Sequence, residues 1–182
     1  QDFTISFETK RLNINATNSL TNTSPRQVIL GNQFGKLGFY FEYSTSNGYG
    51  LGNFVSFKFS TGSALYASIQ STSTGITDSF YHQVVGINDA YNKAISLYVD
   101  GILQGSGKYP SPGYAYANPA AQGFAIGGLP LGNVGGRAAS TVEANTPLII
   151  RNLGFWKGVA LNSGQVKYLY NDRQFRGLEN FV

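Results

Sequence analysis

The chain has 182 residues and no cysteine, a length at which one domain can bury a sizeable core without disulfides. Hydrophobic residues make up 42% and charged residues only 12%, which excludes a disordered polyelectrolyte and fits a single folded unit over residues 1–182. The net charge of +4 is spread from Lys10 to Arg176 without a basic run, so nucleic acid is not an expected partner, and no apolar run approaches the roughly 18 to 20 residues that cross a bilayer.

The first segment alternates with period two: Phe3, Ile5 and Phe7 share one face, with Thr4, Ser6 and Glu8 on the other, as in a half-buried strand. The same pattern recurs in "LGFYFEY" (Leu37, Phe39, Phe41, Tyr43), "VSFKF" (Val55, Phe57, Phe59) and "LYASI" (Leu65, Ala67, Ile69), each bounded by Gly, Ser, Thr or Asn. "YHQVVGI" is apolar on both faces and predicts a central strand; "NDAYNK" then turns the chain into "AISLYV", and Asp100-Gly101 turns it again into "ILQGSG". Residues 106–122 hold three prolines and no period, which predicts a long surface loop. "FAIGG" reads as a short strand, and "LIIRNLGFW", apolar on both faces, as a buried one. A helix is expected over "LNSGQVKYLYN": Asn162 and Gln165 have capping-box spacing, Leu161 can staple onto Val166, and Val166, Leu169 and Tyr170 form a buried stripe. The sum is an all-β, antiparallel two-sheet sandwich with one short helix near its C-terminal end.

Methionine is also absent, so Gln1 is not a translation start, and the chain is expected to be a processed product, a fragment or the ordered part of something longer. Low charge with abundant Ser, Thr, Asn, Gly and Tyr suits a cell-surface or virion protein, and hence an extracellular setting.

Few residues offer chemistry. His82, the one histidine, lies in a strand, and no serine or cysteine sits in a G-x-S-x-G elbow, so His82 is expected to be structural. "GILQGSGKY" has the wrong glycine spacing for a P-loop, and Tyr109 stands where a magnesium-binding hydroxyl belongs. Tyr109, Tyr114 and Tyr116 in the proline-rich loop are candidates for ligand binding, because planar rings stack on sugar faces and their hydroxyls hydrogen-bond at low entropic cost; Tyr49 in "STSNGYGLGN" is a second platform. The alternative is that these rings pack their loops onto the sandwich. Asn15 and Asn22 fit the glycosylation sequon, which matters only in a eukaryotic secretory setting.

Four stretches in order, "DFTISFETK", "YHQVVGI" with "AISLYVDG", "FAIGG", and "LIIRNLGFWKGVALNSGQVKYLY", resemble the laminin-G-like domains of the concanavalin A-like lectin/glucanase superfamily. The resemblance covers about residues 2–171 and implies a concanavalin A-like jelly roll. Tyr81 stands where that family usually carries Trp, and the strand the family places before "FTISF" is not in this sequence, so it is expected either upstream in a longer parent chain or to be absent, with a sheet edge open to a partner. Glucanases of the superfamily carry a Glu-x-Asp-x-Glu strand; here Glu8, Glu42, Glu143 and Glu179 are dispersed, so no catalytic residue is assigned and no enzyme is expected. Many relatives bind calcium, for which Asp89 with Asn88, or Asn53, could supply oxygens, but without an acidic cluster no metal or cofactor is assigned. The resemblance thus implies a non-catalytic recognition or adhesion module whose rim loops bind a glycan or surface receptor. The competing expectation is a structural or decoration subunit of a virion, fibre or surface layer, whose partners are neighbouring copies or other subunits.

Overall fold

Among the described residues there are ten strands, most of them from the period-two segments. These are β1 (Phe3–Arg11), β2 (Gln27–Gly31), β3 (Leu37–Ser44), β4 (Phe54–Thr61), β5 (Tyr66–Gln70), β6 (His82–Asp89), β7 (Ala94–Val99), β8 (Ile102–Lys108), β9 (Ala125–Ile126) and β10 (Leu148–Lys157), with the helix α1 (Ser163–Asp172) following. The structure is a computed structural model that describes residues 1–12, 27–32, 37–44, 54–61, 66–72, 76, 80–109, 124–127 and 148–172. Two antiparallel five-stranded sheets form, ordered β10-β1-β6-β7-β8 and β5-β4-β3-β2-β9, and they face each other as a β-sandwich of the jelly-roll kind.

Apolar residues at alternate positions meet between the sheets. Phe3, Ile5 and Phe7 of β1, Val84 of β6, and Ile95, Leu97 and Val99 of β7 pack against Phe39, Phe41 and Tyr43 of β3 and Val55, Phe57 and Phe59 of β4. Phe41 is the centre of an aromatic stack: its ring lies 4.6 Å from Phe57 at 15° and 5.1 Å from Phe7 edge-on. Opposite it stands Gly86, where the backbone of β6 comes so close that an added Cβ would sit 2.3 Å from Phe41 Cζ. Each fully buried Leu, Ile, Val or Phe here is worth roughly 1.5–3 kcal/mol.

The first sheet is covered on its other side as well. Val85 and Ile87 of β6, Tyr98 of β7 and Trp156 of β10 form a second apolar cluster with Leu161, Val166 and Leu169. Thr4 fixes this layer, since its hydroxyl donates to the Val159 carbonyl at 2.9 Å and accepts the Leu161 N–H at 3.1 Å. The capping box closes as expected: Asn162 Oδ1 accepts the Gln165 N–H at 3.0 Å, and Gln165 Oε1 accepts the Asn162 N–H at 2.9 Å.

Several expectations need correction. β1 is buried on both faces rather than half-buried, because the segment after β10 and the helix lie over Thr4 and its neighbours. Outward positions of β3 and β4 are buried too, among them Tyr40, Glu42, Ser56 and Ser60: Glu42 pairs with the half-buried Lys58, whose ammonium lies 5.6 Å from the Tyr40 ring. β10 is an edge strand with Ile149, Leu153 and Phe155 exposed, and only Trp156 is buried in it; apolar residues on both faces do not reveal an edge. β1 is flanked by β10 and β6, so it is not itself an open sheet edge. Tyr170 is half-buried against Gly101 rather than part of the helix's buried stripe. β2 was not foreseen: "QVILG" is too short and too apolar to show alternation.

Candidate functional site: an aromatic rim at the β6–β7 turn

The turn "NDAYNK" is built by its polar residues. Asp89 Oδ1 accepts the Asn92 N–H at 2.8 Å and Asp89 Oδ2 accepts the Asn92 side-chain amide at 2.6 Å, while Lys93 takes a left-handed φ of 52°. Those bonds, the side-chain one first, hold the Asp89 carboxyl below its ordinary value. Asp2 ties the chain's first residues to the same turn by accepting the Ala90 N–H at 2.8 Å. With the backbone so held, the side chain of Tyr91 projects from the tip and is 90% exposed.

Tyr109 sits beside this turn, its N–H donating to the Lys93 carbonyl at 2.9 Å. Its ring lies 5.2 Å from Phe59 and packs against the inner core. Burial pushes the Tyr109 hydroxyl's pKa up, and the charges of Asp89 and Asp2 push the same way. Tyr109 is therefore a half-buried stem residue, joined to the core by one face. Further aromatics continue the rim: Phe3 lies 6.0 Å from Phe59 and 6.1 Å from the exposed Phe155, and Phe124 lies 6.4 Å from Phe39. Phe39 is the cross-strand partner of Phe59, so Tyr109 and Phe124, the residues that flank segment 110–123, stand at the same end of the sandwich.

Of the tyrosines singled out in the sequence, Tyr49, Tyr114 and Tyr116 lie outside the described residues. The strands flanking the Tyr49 segment meet at Ser44 and Phe54, at the opposite end of β3 and β4 from Phe39 and Phe59. Asn53 also lies outside the described residues. Tyr91 escaped the sequence reading because an aromatic in a turn looks like any other turn residue. The signal that could have found it is a bulky ring placed between turn-forming Asp89 and Asn92, where no strand face can bury it.

His82 is at the other rim. Its Nδ1 lies 2.7 Å from Asp100 Oδ2; Asp100 Oδ1 accepts the Gln83 N–H at 2.9 Å and the Asp100 N–H donates to the Gln83 carbonyl at 2.9 Å. Asp100 and Gly101, at φ 50° and 74°, form the two-residue turn between β7 and β8, so the His82 contact braces a hairpin. Among the described residues, no three His, Asp or Glu side chains converge as a metal would require.

Comparison with known proteins then places the fold. The laminin-G-like family model of the concanavalin A-like lectin/glucanases superfamily matches residues 1–145, most of the chain. The chain belongs to this superfamily. No curated protein matches it by sequence. Among solved structures, this superfamily member resembles botulinum neurotoxin type C, in a study of cell entry dependent on two ganglioside molecules (TM-score 0.61, 15% identity, 96% of this chain and 36% of that one). It also resembles the binding domain of botulinum neurotoxin DC, solved with rat synaptotagmin II (TM-score 0.57, 13% identity, 96% and 36% covered) and with SialylT (TM-score 0.61, 13% identity, 96% and 36% covered). The chain spans about a third of the length of those toxin chains, and at such identities the likeness is one of fold.

Proposed function

We propose that this domain is a non-catalytic recognition module, acting outside the cell, that binds a glycan or a surface receptor through the rim carrying Tyr91 and Tyr109, with Tyr114 and Tyr116 of the adjoining segment as further contacts and Tyr49 as a separate platform. The observation that carries the reading is Tyr91: a ring 90% exposed on a turn whose backbone is fixed by Asp89, Asp2 and the Tyr109–Lys93 bond. An exposed aromatic on a rigid turn binds with little ordering cost, which is what a stacking platform needs. A toxin of this fold whose cell entry depends on two ganglioside molecules, and toxin binding domains of this fold solved with SialylT and with synaptotagmin II, support a binding role for this architecture. A glycan array probed with the intact domain, with calcium and with chelator, tests the proposal. Binding that disappears in Tyr91→Ala and in the Tyr114→Ala/Tyr116→Ala variant supports it, and dependence on calcium would add a metal to the site. A blank array would refute the glycan form.

A second reading, an assembly subunit, draws on the exposed apolar edge of β10 (Ile149, Leu153, Phe155) and on Ile102 and Leu103 of β8. A stable oligomer in light scattering that dissociates in Leu153→Lys would favour it.

A further inference from the structure

Away from the aromatic rim, on the outer face of the first sheet, lies a group of polar residues that the fold does not need for its core. β1, β6 and β10 place Lys10, Glu8, Tyr81 and Arg151 side by side, with Glu8 in register with Arg151 on one side and Gln83 on the other. The Arg151 guanidinium lies over the Tyr81 ring, its carbon 3.7 Å from the ring centroid, and Arg151 Nε donates to Glu8 Oε2 at 2.5 Å. The β-bulge where Asn152 and Leu153 oppose Phe7, with Asn152 at φ 53°, turns Asn152 so that its amide donates to the other Glu8 oxygen at 3.1 Å. Lys10 Nζ stands 5.9 Å from the same tyrosine ring.

Carboxylate and ring together restrain the guanidinium, the one through Nε and the other by a cation–ring contact. Among the described residues no hydrogen bond engages the two terminal nitrogens, on a side chain 48% exposed. A planar fork with two free donors, held in place and flanked by a second cation, matches the geometry of an oxyanion taken bidentately. The buried Gln83 Oε1 beside Glu8 has no hydrogen-bond partner, an unused acceptor beneath the patch that a donor group could reach only if the Gln83 side chain turned outward. We infer that the outer face of β1, β6 and β10 is a second binding site, in which Arg151, with Lys10 beside it, takes the carboxylate or sulfate of an acidic saccharide.

A saccharide suits the patch better than an anionic bilayer. It brings an acid group and hydroxyl donors together, whereas a charged lipid surface would be pressed onto the carboxylate of Glu8. This site is independent of the aromatic rim, and either can exist without the other.

The test is titration of the intact domain with a sulfated oligosaccharide, with 3′-sialyllactose and with neutral lactose, followed by calorimetry or NMR, alongside anionic lipid vesicles. Binding of an acidic sugar, weakened by added salt and reduced about tenfold or more in both Arg151→Gln and Arg151→Lys, is expected, because lysine keeps the charge and loses the fork. Lys108→Gln, which removes an exposed cation at the opposite rim, should leave the affinity unchanged. Three results overturn the inference: no acidic sugar binds, Lys108→Gln weakens binding as much as Arg151→Gln, or the vesicles alone bind. Thermal melts of each variant separate loss of binding from loss of fold.

Discussion

Replacing Gly86 by alanine adds one methyl group to the middle of the sandwich, where the structure leaves no room for it. The new Cβ would lie 2.3 Å from Phe41 Cζ, 2.7 Å from Phe41 Cε1 and 3.3 Å from Phe57 Cδ1. Phe41 is fully buried and held between Phe57 and Phe7, so its ring can move only by displacing both. Overpacking of this kind costs about 1–3 kcal/mol, and the lower entropy of the unfolded alanine chain returns about 0.4–1 kcal/mol. A contact of 2.3 Å puts the overpacking in the upper half of that range, about 2–3 kcal/mol, so the net loss is about 1–2.6 kcal/mol, which for a domain of this size lowers Tm by about 2–10 °C. Urea titration of Gly86→Ala, Phe41→Leu and the double variant supplies the decisive comparison. A smaller ring at residue 41 should make room for the methyl group, so the double variant should be more stable than the sum of the single losses predicts, by at least about 0.5 kcal/mol. If Gly86→Ala melts at or above the wild-type temperature, or if the two losses simply add, the close approach of β6 to β3 is wrong.

Leu97→Asp puts an uncompensated carboxylate at a position with no solvent exposure, facing Gly86 across the β6–β7 ladder, and should abolish the cooperative melt; a wild-type transition by circular dichroism would mean the faces of β7 are reversed. His82→Gln should fold and retain any binding at the Tyr91 rim, because the imidazole braces a hairpin at the other end; lost affinity with unchanged Tm would assign His82 a binding role. Alkaline pH should destabilise the domain. Burial raises the hydroxyl pKa of Tyr43, Tyr98 and Tyr109 above the ordinary 10.0, so the folded state holds these protons more tightly; their contribution is intact below pH 10.0 and is lost as pH rises from there through the raised values. Urea midpoints measured from pH 8 upward should fall more steeply for the wild type than for Tyr43→Phe, and parallel curves would contradict the burial of that hydroxyl.

Much of the fold was legible because its core strands alternate strictly. Phe39, Phe41 and Tyr43, like Val55, Phe57 and Phe59, can share one face only in extended chain, and those side chains do fill the inner core. The two turns around β7 were readable from Asp89, Asn92 and Asp100-Gly101, since those residue types close turns by local hydrogen bonds or tolerate positive φ. What the sequence does not carry is which elements lie next to each other. β10 has the composition of a central strand yet stands at an edge, and the polar face of β1 is buried only because a segment more than 150 residues away donates and accepts at Thr4. The candidate site was half legible for the same reason. Tyr109 was named as a ligand-binding ring from its loop, whereas the register of β8 against β7 joins it to Phe59 and to Lys93 of the turn that carries Tyr91, a juxtaposition between strands that spacing along the chain does not encode. The pair of Arg151 and Tyr81 is likewise a product of register, its members 70 positions apart in the chain.

The measurement that bears most directly on the central claim is the affinity of wild type and Tyr91→Ala for the strongest array ligand, taken with their melting temperatures. Tyr91 is 90% exposed, so its removal should leave Tm within about 1 °C while binding falls by about tenfold or more. Equal affinities at equal stability would contradict recognition through this rim.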